Sequence, residues 1–169
     1  ASVPGYVYAQ QRGHLYVNLF VASTATVEMD GGPTVTLTQE TSYPWSGDIR
    51  ITVNPRANAA FTLRLRIPGW AQGKPVASDL YRYRESGAMA WTVEVNGRTV
   101  SGKLDEAGYL SLSRTWQRGD RVDLRLPMAP RKVAAHPRVA GLENRVALER
   151  GPVVYCFEGV DNGGRVLEC

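Results

Sequence analysis

QETSYPWSGDIRITVNPRANAAFTLRLRIPGW, residues 39–70, decides the fold. Ile49, Ile51 and Val53 alternate with Asp48, Arg50 and Thr52. Phe61, Leu63, Leu65 and Ile67 alternate with Thr62, Arg64 and Arg66. A period of two puts each apolar set on one face of a pleated strand and each polar set on the other. Asn54-Pro55 and Asn58 supply turn residues between the runs. Pro44-Trp45 and Pro68-Gly69-Trp70 close the two ends with an aromatic beside a rigid bend. The expectation is a pair of adjacent antiparallel strands with one buried face and one wet, basic face.

The flanking sequence has the same texture. After a connector over residues 1–10, HLYVNLFVAS (His14–Ser23) reads as one apolar strand, with Tyr16, Asn18 and Phe20 on one face and Leu15, Val17, Leu19 and Val21 on the other. ATVEM and TVTLTQ flank Asp30-Gly31-Gly32-Pro33 as a hairpin. Residues 71–90 are the least regular, and DLYRYRES reads as an insertion or long loop. Strand character resumes at Trp91–Val95, followed by the type I′ signal Asn96-Gly97 into Arg98–Ser101. Gly108–Ser113 and Asp120–Leu126 add two strands joined by RTWQRGD. Pro127–Pro130 marks a boundary or a passage onto a second sheet. RVALERGPVVYCFEG then holds two short runs around Gly151-Pro152. About ten strands with frequent turns predict an all-β fold, an antiparallel sandwich or jelly roll. The expected division is a middle sandwich over 11–127 and the start of a second β module over 128–169, a stretch short for an independent domain.

Composition narrows the function classes. The chain has 169 residues, 43% hydrophobic and 21% charged, with a net charge of +4. Its arginines are spread along strands rather than clustered, which argues against nucleic-acid binding. No apolar run approaches the ~20 residues that span a membrane, and ASVPGYVYAQ lacks the basic start and apolar core of a signal peptide. His14 and His136 have no Cys, Asp or Glu at metal-ligand spacing, so no metal site is expected here. Cys156, within VVYCF, reads as a core residue; its pairing with Cys169 is open. A glycosidase needs two carboxyl groups across a cleft. Glu40, Asp48, Glu94, Asp105, Glu106 and Glu158 are available, yet each reads as a turn or surface carboxylate. The aromatic residues are the stronger candidates. Tyr43, Trp45, Trp70 and Trp116 lie at strand ends or loops, where aromatic faces can stack on sugar C–H surfaces, or else plug a sandwich edge or interdomain seam. Trp91 reads as core.

Five motifs together resemble a known family: YVNLFVASTATVEM (16–29), QETSYPWSGDIRITV (39–53), FTLRLRIPGW (61–70), GYLSLSRTWQRGDRVDLRLPM (108–128) and RVALERGPVVYCFE (145–158). They are similar to the β-sandwich portion of bacterial β-L-arabinofuranosidases, glycoside hydrolase family 127, from about Tyr6 to Asn162. The residues around Leu80–Ala90 fit that pattern poorly. The resemblance implies an upstream (α/α)6 barrel that carries the active site of a retaining mechanism. There a zinc-bound cysteine is the nucleophile, a glutamate the acid/base, and a Cys-Cys pair supplies zinc ligands. This sequence has no such pair, so no catalytic or zinc residue is carried onto it, and Cys156 is not the nucleophile. The expectation is a non-catalytic, cofactor-free part that supports the barrel and shapes the cleft for arabinose-containing glycans. The alternatives are a stand-alone carbohydrate-binding module and a structural or oligomerisation domain.

Overall fold

The computed structural model describes residues 3–85 and 89–166. After a single helical turn at Pro4–Val7, its strands in chain order are β1 (Tyr8–Gln11), β2 (His14–Val17), β3 (Ser23–Glu28), β4 (Thr34–Thr41), β5 (Asp48–Pro55), β6 (Ala59–Arg66), β7 (Tyr81–Tyr83) and β8 (Thr92–Val95). There follow β9 (Arg98–Thr99), β10 (Tyr109–Trp116), β11 (Asp120–Arg125), β12 (Pro130–Ala135), β13 (Val146–Arg150) and β14 (Val153–Tyr155). They form three sheets, ordered β1-β2-β6-β10, β3-β4-β5-β11-β8-β9 and β14-β13-β12-β7. Pairing is antiparallel apart from β2, which lies parallel to β6.

The first two sheets face each other across one core. Leu15, Val17, Leu63, Leu65, Leu110 and Leu112 line the first; Leu37, Ile49, Ile51, Val53, Val93, Val122 and Leu124 line the second. Cross-strand register matches these layers, with Leu110 opposite Leu65, Leu112 opposite Leu63, Val122 opposite Ile51 and Leu124 opposite Ile49. Burying one such aliphatic side chain contributes about 1.5–3 kcal/mol. The all-β sandwich expected from the alternation is therefore what forms.

The central pair is not what its sequence led us to expect. β5 and β6 are not hydrogen-bonded neighbours. β5 pairs with β4 and β11, whereas β6 pairs with β2 and β10. Residues 56–58 arch from one sheet to the other, and the Arg56 N–H donates to Thr34 O at 2.9 Å. The physical reason is plain. Alternation dictates which face meets the core, and a hairpin and an arch bury the same residues; it does not choose the hydrogen-bond partner.

Three further expectations are corrected. HLYVNLFVAS is not one strand: β2 stops at Val17, and the phase then inverts. Phe20 is buried, while Leu19 and Val21 are exposed. DLYRYRES is not only a loop, because β7 pairs with β12 and joins the third sheet, Val133 opposite Tyr83. Cys156 is exposed rather than core, since β14 ends at Tyr155. Its possible partner Cys169 lies outside the described residues. The Asp30–Pro33 hairpin and the Asn96-Gly97 turn form as expected, Asn96 and Gly97 taking φ of 52° and 74°. Trp91 precedes β8 and packs, partly buried, against the core.

Candidate functional site

Three of the four candidate aromatics meet at one end of the sandwich. There lie the loop between β2 and β3, the loop between β4 and β5, and a 3-10 turn, Gly69–Gln72, after β6. Short polar side chains hold the β4–β5 loop. The Tyr43 N–H donates to Thr41 Oγ1 at 3.0 Å, Thr41 Oγ1–H donates to Asp48 O at 2.8 Å, and the Trp45 N–H closes a turn onto Ser42 O at 2.9 Å. Gly47 sits so close to Leu126 O and Met128 that a side chain has no room, and its carbonyl accepts from the Leu126 N–H at 2.8 Å.

Tyr43 packs edge-on against Phe20, ring centroids 5.9 Å apart. Burial pushes its hydroxyl above the usual tyrosine value, and the Trp70 side chain offsets part of that rise. Trp70 itself is buried, and its Nε1–H has no hydrogen-bond acceptor among the described residues. The far edge of Trp70 faces the turn between β13 and β14, where Cη2 lies 3.7 Å from the position a Cβ on Gly151 would take. Trp70 is thus a seam residue between sandwich and third sheet. Trp45 is the open one, 68% exposed. Its carbonyl accepts from Arg150 Nη1 at 3.0 Å, which ties the loop to β13.

Trp116 stands apart. It ends β10 opposite Ala59, at the other end of the sandwich. It is fully buried, donates Nε1–H to Phe61 O at 3.1 Å and stacks on the Phe61 ring at 5.7 Å. A ring sealed in this way has no face to offer a sugar. Of the four, only Trp45 is exposed, with Tyr43 half-buried and Trp70 and Trp116 buried.

The basic face expected of β6 proves to be a closed network. Arg64 donates through Nε to Ser111 Oγ, through Nη1 to the Tyr16 hydroxyl and through Nη2 to Asp105 at 2.7 Å. Tyr16 and Tyr109 meet edge to face at 5.3 Å beneath it. On the opposite sheet, Glu40, Asp48 and Glu94 share a shallow groove with Arg50, Arg121, Arg125 and Asp123. Arg125 pairs with Asp48 at 3.0 Å and Arg50 with Asp123 at 2.9 Å, so opposite charges alternate over a solvated face. Among the described residues no group of three or more His, Cys, Asp or Glu could hold a metal ion, and no helix is long and apolar enough to cross a membrane.

Sequence reasoning missed the cluster within the third sheet that clamps β7 to β12 and β13. Tyr83 donates its hydroxyl to Glu149 Oε1 at 2.8 Å, and both Arg131 and Glu149 are buried. Burial holds the Glu149 carboxyl above the usual range, against the lowering by Tyr83 and Arg131. The signal lay in RYR and LER, where charge interrupts a strand pattern, but pairing them requires the fold.

Family models match most of the chain, from residue 14 onward. The β-L-arabinofuranosidase, GH127 middle domain matches residues 14–128, and the glycoside hydrolase family 127 C-terminal domain matches residues 130–169. The chain belongs to glycoside hydrolase family 127. It is 34% identical to the non-reducing end β-L-arabinofuranosidase of Bifidobacterium longum subsp. longum, over 97% of this chain and 22% of that protein. Among solved structures it is similar to the GH127 β-arabinofuranosidase BT3674, with 46% identity, a TM-score of 0.88, and coverage of 95% of this chain and 25% of that one. It is also similar to a GH127 β-L-arabinofuranosidase from Geobacillus stearothermophilus T6, with 41% identity, a TM-score of 0.80, and coverage of 95% and 23%. The chain therefore spans about a quarter of the length of these family 127 relatives.

Proposed function

We propose that this chain is the non-catalytic β-sandwich portion of a family 127 hydrolase acting on β-L-arabinofuranosides, and that it buttresses a catalytic barrel lying outside these residues. The observation that carries the reading is that the middle and C-terminal family models match residues 14–128 and 130–169, on a chain a quarter as long as its relatives. The zinc and nucleophile of the reaction then belong to the barrel, and no residue here is assigned to them. The role of this chain is mechanical and steric. A core of fully buried aliphatic layers gives a rigid body, and Trp45 projects from a loop pinned at both ends, fit to form one edge of a sugar cleft.

Deleting residues 14–169 from the full-length protein tests the supporting role. The expected result is loss of soluble, folded catalytic part together with loss of arabinofuranoside hydrolysis. A truncated protein that folds and turns over substrate at the full-length rate would contradict it.

A further inference from the structure

The inverted phase between Val17 and Ser23 is built, not slack. Asn18 donates its N–H to Val7 O at 2.9 Å and its Nδ2–H to Tyr6 O at 3.2 Å, and its Oδ1 accepts from the Tyr109 hydroxyl at 2.7 Å. Gln39, only 2% exposed, donates Nε2–H to Leu19 O at 3.2 Å and to the Tyr8 hydroxyl at 2.9 Å. Ser23 Oγ–H donates to Val21 O at 2.9 Å. Polar side chains, the buried Gln39 and the half-buried Ser23, thus fix the carbonyls of Leu19 and Val21 while their side chains are turned outward, 39% and 44% exposed. The turn strapped to this loop adds Val3 and Tyr6, 62% and 65% exposed.

These two segments carry no charge. Residues 1–11 and 15–27 contain no Asp, Glu, Lys, Arg or His, on a chain that is 21% charged. Two charge-free segments held together and turning Val3, Tyr6, Leu19 and Val21 outward mark an interaction surface rather than a solvated one. A partner recognised by charge is disfavoured, because nothing here would answer it.

We infer that the Asn18–Ala22 loop and the Pro4–Val7 turn form the seat for the part of the full-length protein that precedes Val3, which covers Tyr6, Leu19 and Val21 with an uncharged, apolar surface. The inference rests on the reading above, that this chain supports a larger catalytic part. Two observations choose this occupant. About three-quarters of the length of the relatives lies outside the matched region, and the two models matched are those of a middle and a C-terminal domain, which other residues precede. Val3, the first described residue, also adjoins the patch, on a turn tied to the loop by two hydrogen bonds to Asn18, so a segment preceding it is held near the patch at little loop-closure entropy.

Hydroxyl-radical footprinting of the unsubstituted full-length protein tests it, with Leu80 and Val160, 49% and 86% exposed, as references. Leu19, Val21 and Tyr6 are expected to be oxidised roughly tenfold more slowly than their exposure here dictates, at every protein concentration. Oxidation at the same exposure-scaled rate as Leu80 and Val160 would overturn the seat. Protection that appears only as concentration rises would also overturn it, assigning the patch to a second copy of the chain. The supporting role fails separately: then no position of the chain, Trp45 included, is protected beyond its exposure here. If Trp45 is protected and Leu19 is not, the buttress stands and this seat falls.

Discussion

The guanidinium carbon of Arg131 lies 3.3 Å above the ring of Tyr83, so a residue from the middle of the chain is clamped by one from its last quarter. β7 carries Tyr83 into the third sheet, where its hydroxyl donates a hydrogen bond to Glu149. The segments matched by the middle and C-terminal family models are therefore interlocked by a shared sheet rather than merely joined by residues 127–130.

Removing the hydroxyl from that clamp tests its worth. Tyr83→Phe leaves a buried carboxylate without its donor, and a hydrogen bond to a charged group of this kind is worth about 2 kcal/mol. Urea unfolding should show a loss of that size. A loss below about 0.5 kcal/mol would place the hydroxyl in water instead.

The same cluster carries a pH dependence. Burial raises the Glu149 pKa in the folded state above its unfolded value. The unfolded chain thus loses this proton first as pH rises, and the stabilisation present at low pH is lost as pH climbs through the folded pKa. Glu149→Gln keeps an acceptor for Tyr83 and removes the charge. Thermal unfolding from pH 4 to 7 should show the variant gaining on the natural protein as pH rises. A difference independent of pH would mean that Glu149 is solvated.

At the sandwich end, Gly47 is required for space rather than for its backbone angles. A Cβ there would run into the Leu126 carbonyl, and backbone cannot step aside as a side chain can. Gly47→Ala should cost about 3 kcal/mol, measured by chemical unfolding, by overpacking and loss of the 2.8 Å Leu126–Gly47 bond.

Trp45 and Trp116 should separate cleanly. Trp116→Ala removes a fully buried ring and its hydrogen bond, costing about 3–5 kcal/mol of stability. Trp45→Ala, at an exposed position, should leave stability within about 0.5 kcal/mol. In the full-length enzyme it should raise KM roughly fivefold, the loss of about 1 kcal/mol of aromatic contact with sugar. An unchanged KM would remove Trp45 from the cleft edge.

Much of the fold was legible because alternation is a strong signal: the buried layers of β5, β6, β10 and β11 are those the sequence pattern names. What alternation does not encode is the partner across the hydrogen bonds, and so the β5–β6 arch read as a hairpin. Leu19 and Val21 misled for a related reason. Their outward turn depends on Asn18 and Gln39 contacts with Val7, Tyr6 and Tyr8, which are remote in sequence. At the candidate site, the side-by-side placement of Tyr43 and Trp70 follows from loops that share one sandwich end. Trp45 and Trp116, each beside turn residues, look alike in sequence, and only burial tells the open ring from the sealed one.

The most direct test of the account is hydrolysis of a β-L-arabinofuranoside by two purified proteins, the full-length chain and residues 1–169, under identical conditions with zinc present. The account predicts turnover by the full-length protein and none by residues 1–169. Turnover by residues 1–169 would contradict it, because the catalytic groups would then have to lie within the sandwich.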